Sequence, residues 1–166
     1  MSKAMVKRKS TRRKALGDTQ GVKGFFRIKI KENGQVVGDS GWNENLVVNL
    51  GFSQYLVDAL GGTSKQISRM MLGSGGDPAA TDTGLSGEFN TATYTRTTVT
   101  FANVGSKTAR FTATFASANS HITASTTLGN IGIINNTTSA GTMMAGKSFA
   151  TSQWNTNRRN ELPLAA

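Results

Sequence analysis

From Phe25 to Lys31 apolar and charged residues alternate, Phe26, Ile28 and Ile30 against Arg27, Lys29 and Lys31. A period of two predicts a strand with one buried and one wet face. Asn33-Gly34 follows, a pair that accepts the positive φ angles of a tight hairpin turn, and Gln35–Gly38 returns as the partner strand before loosening toward Trp42. The pattern changes at Asn49: Phe52, Leu56 and Leu60 recur every four residues with Val57 beside them. That spacing predicts a helix capped by the Asn49 side chain, ended by Gly61-Gly62, with its apolar stripe turned to the core. Ile67–Leu72 reads as a short buried strand, and Gly73–Asn90, with five Gly, a Pro and little periodicity, as a long loop. Loops of that length are usually functional or clamped by a partner.

Alternation resumes at Thr93–Phe101, with Val99 and Phe101 on one face, and at Thr108–Ala116, where Phe111, Ala113 and Phe115 face in and Arg110, Thr112 and Thr114 face out. These two form an antiparallel pair. Ile122–Thr127, Gly129–Asn135 and Thr142–Thr151 are weaker strands, separated by the turn-like Asn135-Asn136 and Ser139-Ala140-Gly141. Several short strands at such spacing predict a mainly β chain, an antiparallel β-sandwich or jelly roll with one short helix.

Composition agrees. The 166 residues suffice for one domain with its own core, and 19 Gly against 2 Pro, with Thr, Ser and Asn abundant after Gly73, favour strands and turns. With no cysteine, disulfides, thiolate metal sites and a Cys nucleophile are excluded. No apolar run approaches the roughly 18 residues of a membrane span, and charge from Lys3 to Lys14 interrupts any secretory leader. The expectation is a soluble chain made in a host cytoplasm.

The net charge of +10 is uneven: Lys3, Lys7, Arg8, Lys9, Arg12, Arg13 and Lys14 are followed by a single acid, Asp18, before Glu32. Residues 1–20 have the composition of an extended basic N-terminal arm that orders on a partner. The chain therefore divides into an arm and glycine hinge (1–24), a β-rich domain (25–154) and a polar, Pro-interrupted tail (155–166) that does not continue the strand pattern. Seven arm cations bind any nucleic acid in a salt-dependent way, without sequence reading because the arm has no aromatic ring, or else tether the chain to an acidic protein surface.

Catalytic groups are scarce: one His, nine acids, no Cys. The nearest acids in sequence to His121 are Glu88 and Glu161, so a Ser-His-acid triad needs a carboxylate delivered by the fold, and a loop histidine is the simpler reading. Asp77, Asp82 and Glu88 share the long loop, yet their spacing is not that of an EF-hand, and Asx turns at Asp77-Pro78 and Thr81-Asp82 explain them. Gly73-Ser74-Gly75-Gly76 lacks the Gly-Lys-Ser/Thr ending of a phosphate loop. No enzyme, metal or cofactor is expected.

Two stretches resemble small virion structural proteins of tailed bacteriophages. The first runs from Gly24 to Glu88 and contains Val37-Gly38-Asp39-Ser40-Gly41-Trp42, Asn45-Leu46-Val47-Val48-Asn49, and Met71-Leu72-Gly73-Ser74-Gly75-Gly76 followed by Pro78 to Thr83 and Leu85. The second contains Ala109 to Phe115, Ile131-Gly132-Ile133 and Ala145-Gly146-Lys147-Ser148-Phe149. The resemblance implies a virion location and, first, a capsid cement or decoration protein. Its β domain would sit at subunit junctions, with the arm and the C-terminal tail lying across adjacent surfaces, whereas in a tail or fibre role the long loop, with Asp77, Pro78, Asp82 and Leu85 as its interaction residues, would touch a host surface. The implied partners are the major capsid protein or other virion subunits, further copies of the chain itself, and nucleic acid contacted non-specifically through the arm, with no membrane. A tail or tail-fibre component, and a genome-contacting packaging protein, are the alternatives.

Overall fold

The computed structural model describes residues 21–89, 96–116, 126–137, 140–154 and 160–165. Two antiparallel sheets pack face to face. The first comprises β1 (Phe25–Glu32), β2 (Gln35–Asp39), β3 (Asn43–Glu44), β7 (Thr100–Gly105), β8 (Thr108–Phe115) and β11 (Asn160–Ala165), in the order β2-β1-β11-β8-β7 with β3 also on β1. The second comprises β4 (Leu46–Val47), β5 (Arg69–Gly73), β6 (Thr97–Thr98), β9 (Thr126–Ile134) and β10 (Met143–Trp154), in the order β4-β10-β9-β5-β6. The predicted mainly β, antiparallel sandwich with one short helix is what forms.

Local chemistry explains the best-predicted elements. Asn33 and Gly34 close the β1–β2 hairpin at φ 50° and 80°, the left-handed pair such a turn requires. The inward residues Phe26 and Ile28 of β1 and Ala113 and Phe115 of β8 meet Met70 and Leu72 of β5, Ile131 and Ile133 of β9 and Ala145 of β10 in the inter-sheet core. Strand β5 is buried on both faces, because Met71 points the other way into a second cluster with Val48, Leu85, Ile134 and Met143. An apolar run without alternation is the signature of such a strand. The second cluster is roofed by the helix and the long loop.

The helical segment α1 runs α-helical over Asn49–Gly51, π-helical over Phe52–Val57 and α-helical over Asp58–Leu60. Two expectations are corrected here. Asn49 is the first helical residue rather than the cap: Val48 holds the cap position with no side-chain hydrogen bond, and the Asn49 amide donates to the Ala80 carbonyl at 2.8 Å. Most of the stripe does not face the core, since Phe52 is 42 %, Val57 60 % and Leu60 91 % exposed, while Leu56 is half-buried. Gly51 and Tyr55 turn inward instead. A side chain on Gly51 would place Cβ 2.1 Å from the Met144 carbonyl oxygen, so only glycine lets the helix approach β10 so closely. The Tyr55 hydroxyl donates to the Thr142 carbonyl, and burial pushes its pKa up. The wider π turn shifts the phase of the helix, which four-residue counting does not anticipate.

Two further expectations change. The segment expected as one strand over Thr93–Phe101 is divided, as far as it is described: Thr97–Thr98 join the second sheet on β5, and Thr100–Gly105 join the first on β8. Residues 160–165, expected in a tail outside the strand pattern, form β11 in the middle of the first sheet. Its pairing with β8 runs through Leu162–Ala165, whereas its register with β1 holds Ala165, Leu164, Glu161 and Asn160 and skips Leu162 and Pro163. Proline has no amide to donate, and the ladder on that side is interrupted where it sits.

Candidate interaction surfaces

The long loop is closed at its base and tied down along its length. Glu88 bridges Gly73, the Ser74 amide donates to the Gly87 carbonyl at 3.0 Å, and the Phe89 amide donates to the Leu72 carbonyl at 3.1 Å. Asp77 accepts from the Ser148 amide at 2.8 Å and from Lys147 Nζ at 3.1 Å. These contacts, the amide foremost, hold its carboxyl below the usual carboxylate range. Pro78 is buried beside Gly146, Asp82 accepts from the Ala79 amide at 2.8 Å, and Leu85 is buried in the second cluster. From below, the buried Asn130 amide donates to the carbonyls of Gly76 and Ser86, both at 3.0 Å. Asp77, Pro78 and Leu85 therefore hold the loop on its own sheet and Asp82 closes a turn within it, while the exposed surface of the loop comprises Ser74, Gly76, the Asp77 carboxylate edge, Ala79 to Thr81, Thr83, Ser86 and Gly87.

Glu88 and Arg96 clasp the end of this loop. Arg96 Nε and Nη2 donate to the two Glu88 oxygens at 2.6 and 2.7 Å, and Nη1 donates to the Asn136 carbonyl at 3.3 Å. Each carboxylate weighed as a calcium ligand is thus engaged by the protein: Asp77 by Lys147 and Ser148, Asp82 by Ala79, Glu88 by Arg96. Among the described residues no group of three or more His, Cys, Asp or Glu could hold a metal, and no helix is long and apolar enough to cross a membrane. A cavity of about 260 Å³ opens between Ile28, Ile30, Leu128 and Phe149, rimmed by Asp39, Ser40 and Asn43. The Ser40 hydroxyl accepts from the Ile28 amide and donates to the Gly41 carbonyl, both at 2.9 Å, so its hydrogen bonds are structural.

His121 and the arm residues Lys3, Lys7, Arg8, Lys9, Arg12, Arg13 and Lys14 lie outside the described residues. What the structure adds are surfaces that sequence reasoning missed. One is the outward apolar side of α1. Another is β7, exposed along its whole length at the edge of the first sheet, with Phe101 60 % exposed and its ring 5.4 Å from that of Phe111. A third is the outer face of the first sheet at β1. There Arg27 pairs through two nitrogens with Asp39, and its guanidinium lies 5.8 Å from the centroid of the Trp42 ring. The Arg27 hydrogen bonds hold the Asp39 carboxyl well below the usual range, with the Gly41 amide adding to the effect. Phe25 and Trp42 remain about half exposed beside them.

The signal for this face was countable. Residues 1–31 contain 11 cations and one acid, a net of +10, which is the charge of the whole chain; residues 32–166 contain the other eight cations and eight acids and sum to zero. The net positive charge is thus carried by the arm, its hinge and the first strand they lead into.

Comparisons with protein-family models, with curated proteins and with solved structures find no match to this chain.

Proposed function

We propose that the protein is a non-enzymatic structural subunit of a virion, a capsid cement or decoration protein that works by packing against copies of itself and against the major capsid protein. The observation that carries this reading is the apolar surface left uncovered on a small domain with an ordered core: Leu60 at 91 %, with Val57 and Phe101 each at 60 %. Large side chains grouped on one helix face and along one uncharged edge strand mark surfaces that neighbours cover. Covering them stabilises an assembly by roughly 1.5–3 kcal/mol for each side chain fully buried, before the cost of association. Repetition over many copies turns such modest contacts into a stable shell, and the basic arm adds charge contacts on adjacent surfaces.

The test is co-sedimentation of the full chain, a chain lacking residues 1–20, and Leu60→Ser with empty shells of the virion it is made with, at low and high salt. Binding at many copies per shell, weakened by both changes, is the expected result. Absence of binding by the full chain refutes the cement reading and turns attention to the tail.

A further inference from the structure

The outer face of the first sheet carries cations and rings with little opposing charge. On β1 the outward side holds Phe25, Arg27 and Lys29. Across the sheet the register runs from Arg27 to Ala165 of β11, Thr112 of β8 and Thr100 of β7, so the outward side of β8 continues the same face. The β7–β8 hairpin adds Arg110 on that face and Lys107 at its turn, both exposed, and residues 100–115 contain no acid. The nearby acids Asp39 and Glu44 are already matched, Asp39 by Arg27 and Glu44 by Lys23 at 3.8 Å. Asp39 pairs with Arg27, whose guanidinium lies 5.8 Å from the Trp42 centroid, and also stands opposite Lys29 in register, so one carboxylate serves two cations; Lys107 and Arg110 have no acid beside them on their own hairpin, and Phe25 and Trp42 stay about half exposed.

We infer that this face binds single-stranded nucleic acid, with Trp42 and Phe25 stacking on unpaired bases and Lys29, Lys107 and Arg110 following the phosphates. Charge complementarity selects a polyanion, and the rings select among polyanions. A carboxylate-rich protein surface or a duplex offers cations a partner but gives exposed rings nothing to stack on, whereas every unpaired base has a π-face. The face lies at the root of the arm, so the arm's charge raises the local concentration of the same ligand while the sheet discriminates. This binding belongs to the isolated subunit and does not depend on its assembly into a shell.

The experiment uses the full chain and fluorescence anisotropy of a labelled oligothymidylate of about 15 nucleotides, with a duplex of equal length and polyglutamate as competitors. The single strand binds more tightly than either competitor. Trp42→Ala and Phe25→Ala each weaken it by about tenfold, with duplex binding unchanged. Lys29→Gln lowers the slope of log affinity against log salt by about 0.7. In a Trp154→Phe background Trp42 is the sole indole, and its emission is quenched when the single strand binds, a readout that needs no substitution on the face itself. An arm acting alone binds single strand and duplex alike and ignores both ring substitutions. That pattern, or an unquenched Trp42, overturns the inference.

Discussion

Removing Glu88 should loosen the long loop more than any surface substitution on it. The Arg96 side chain is 4 % exposed and that of Glu88 18 %, with two hydrogen bonds of 2.6 and 2.7 Å between them. Breaking a buried pair by deleting one partner costs about 3–5 kcal/mol, because the other charge stays desolvated. Here the Asn136 carbonyl still serves one guanidinium nitrogen, and the partial exposure of Glu88 lets water reach the gap, which places Glu88→Leu at the low end, about 3 kcal/mol. For a chain of this size each kcal/mol moves the midpoint by about 2–4 °C, so Tm falls by about 6–12 °C. Replacing both partners, Glu88→Leu with Arg96→Met, removes the buried charge altogether and costs less than about 1 kcal/mol. Urea titrations of the two single variants and the double variant give the coupling, expected to exceed about 2 kcal/mol, because Glu88→Leu alone costs about 3, Arg96→Met adds its own cost and the double variant costs less than about 1. Hydrogen exchange at Ser74 and Phe89, whose amides close the loop base, reports whether the loss is local. A Glu88→Leu variant within about 0.5 kcal/mol of the parent, or a double variant as unstable as the sum of the singles, refutes the clasp.

Gly51→Ala drives a methyl group into the Met144 carbonyl at 2.1 Å, a backbone contact that cannot rotate away, and should cost about 2–4 kcal/mol in urea unfolding, where Gly61→Ala, with nothing nearer than 3.7 Å, costs far less. Asp39 and Asp77 have folded pKa values below the ordinary carboxylate value. Their contribution is therefore complete above about pH 4–5, where the unfolded carboxylates are ionised, and is lost as pH falls through the folded values. Asp77→Asn should lower Tm at pH 7 and leave a flatter acid limb, and an unchanged slope between about pH 5 and 2 counts against the contact with Ser148. Leu60→Ser, at a 91 % exposed position, should leave Tm within about 2 °C of the parent while reducing self-association in sedimentation velocity; a large fall in Tm would mean that this helix end is packed in the isolated subunit.

Much of the fold was legible in sequence because its signals were local. The alternation in β1 and β8, the Asn33-Gly34 turn and the uninterrupted apolar run of β5 each follow from one strand's own residues. What was not legible depends on partners distant in sequence. Strand β11 reads as a polar tail because its interior position is set by β1 and β8, and Pro163 is tolerated only because the β1 ladder opens beside it. The helix reads as core-facing through Leu56 and Leu60, whereas the contact that orients it, Gly51 on Met144, joins residues far apart in the chain and carries no apolar signature. Loop residues Asp77 and Leu85 read from sequence as residues offered to a partner, whereas Asp77 bonds the Ser148 amide and Leu85 is buried in the second cluster, contacts with residues distant in sequence that composition does not reveal.

The division of charge argues for two kinds of surface on one subunit. A net-neutral body of residues 32–166 exposes apolar side chains on α1 and β7 and carries no field strong enough to repel a like copy, which suits close packing among identical subunits. All of the net +10 lies in residues 1–31, which places the proposed polyanion contacts on the arm and on the outer face that begins at β1. Salt separates the two: contacts made by the arm weaken steeply between about 50 and 200 mM, while contacts through Leu60, Val57 and Phe101 hold or strengthen. A subunit whose self-association and nucleic-acid binding fell together with salt would not be divided in this way, and the apolar surfaces would have to be explained by something other than assembly.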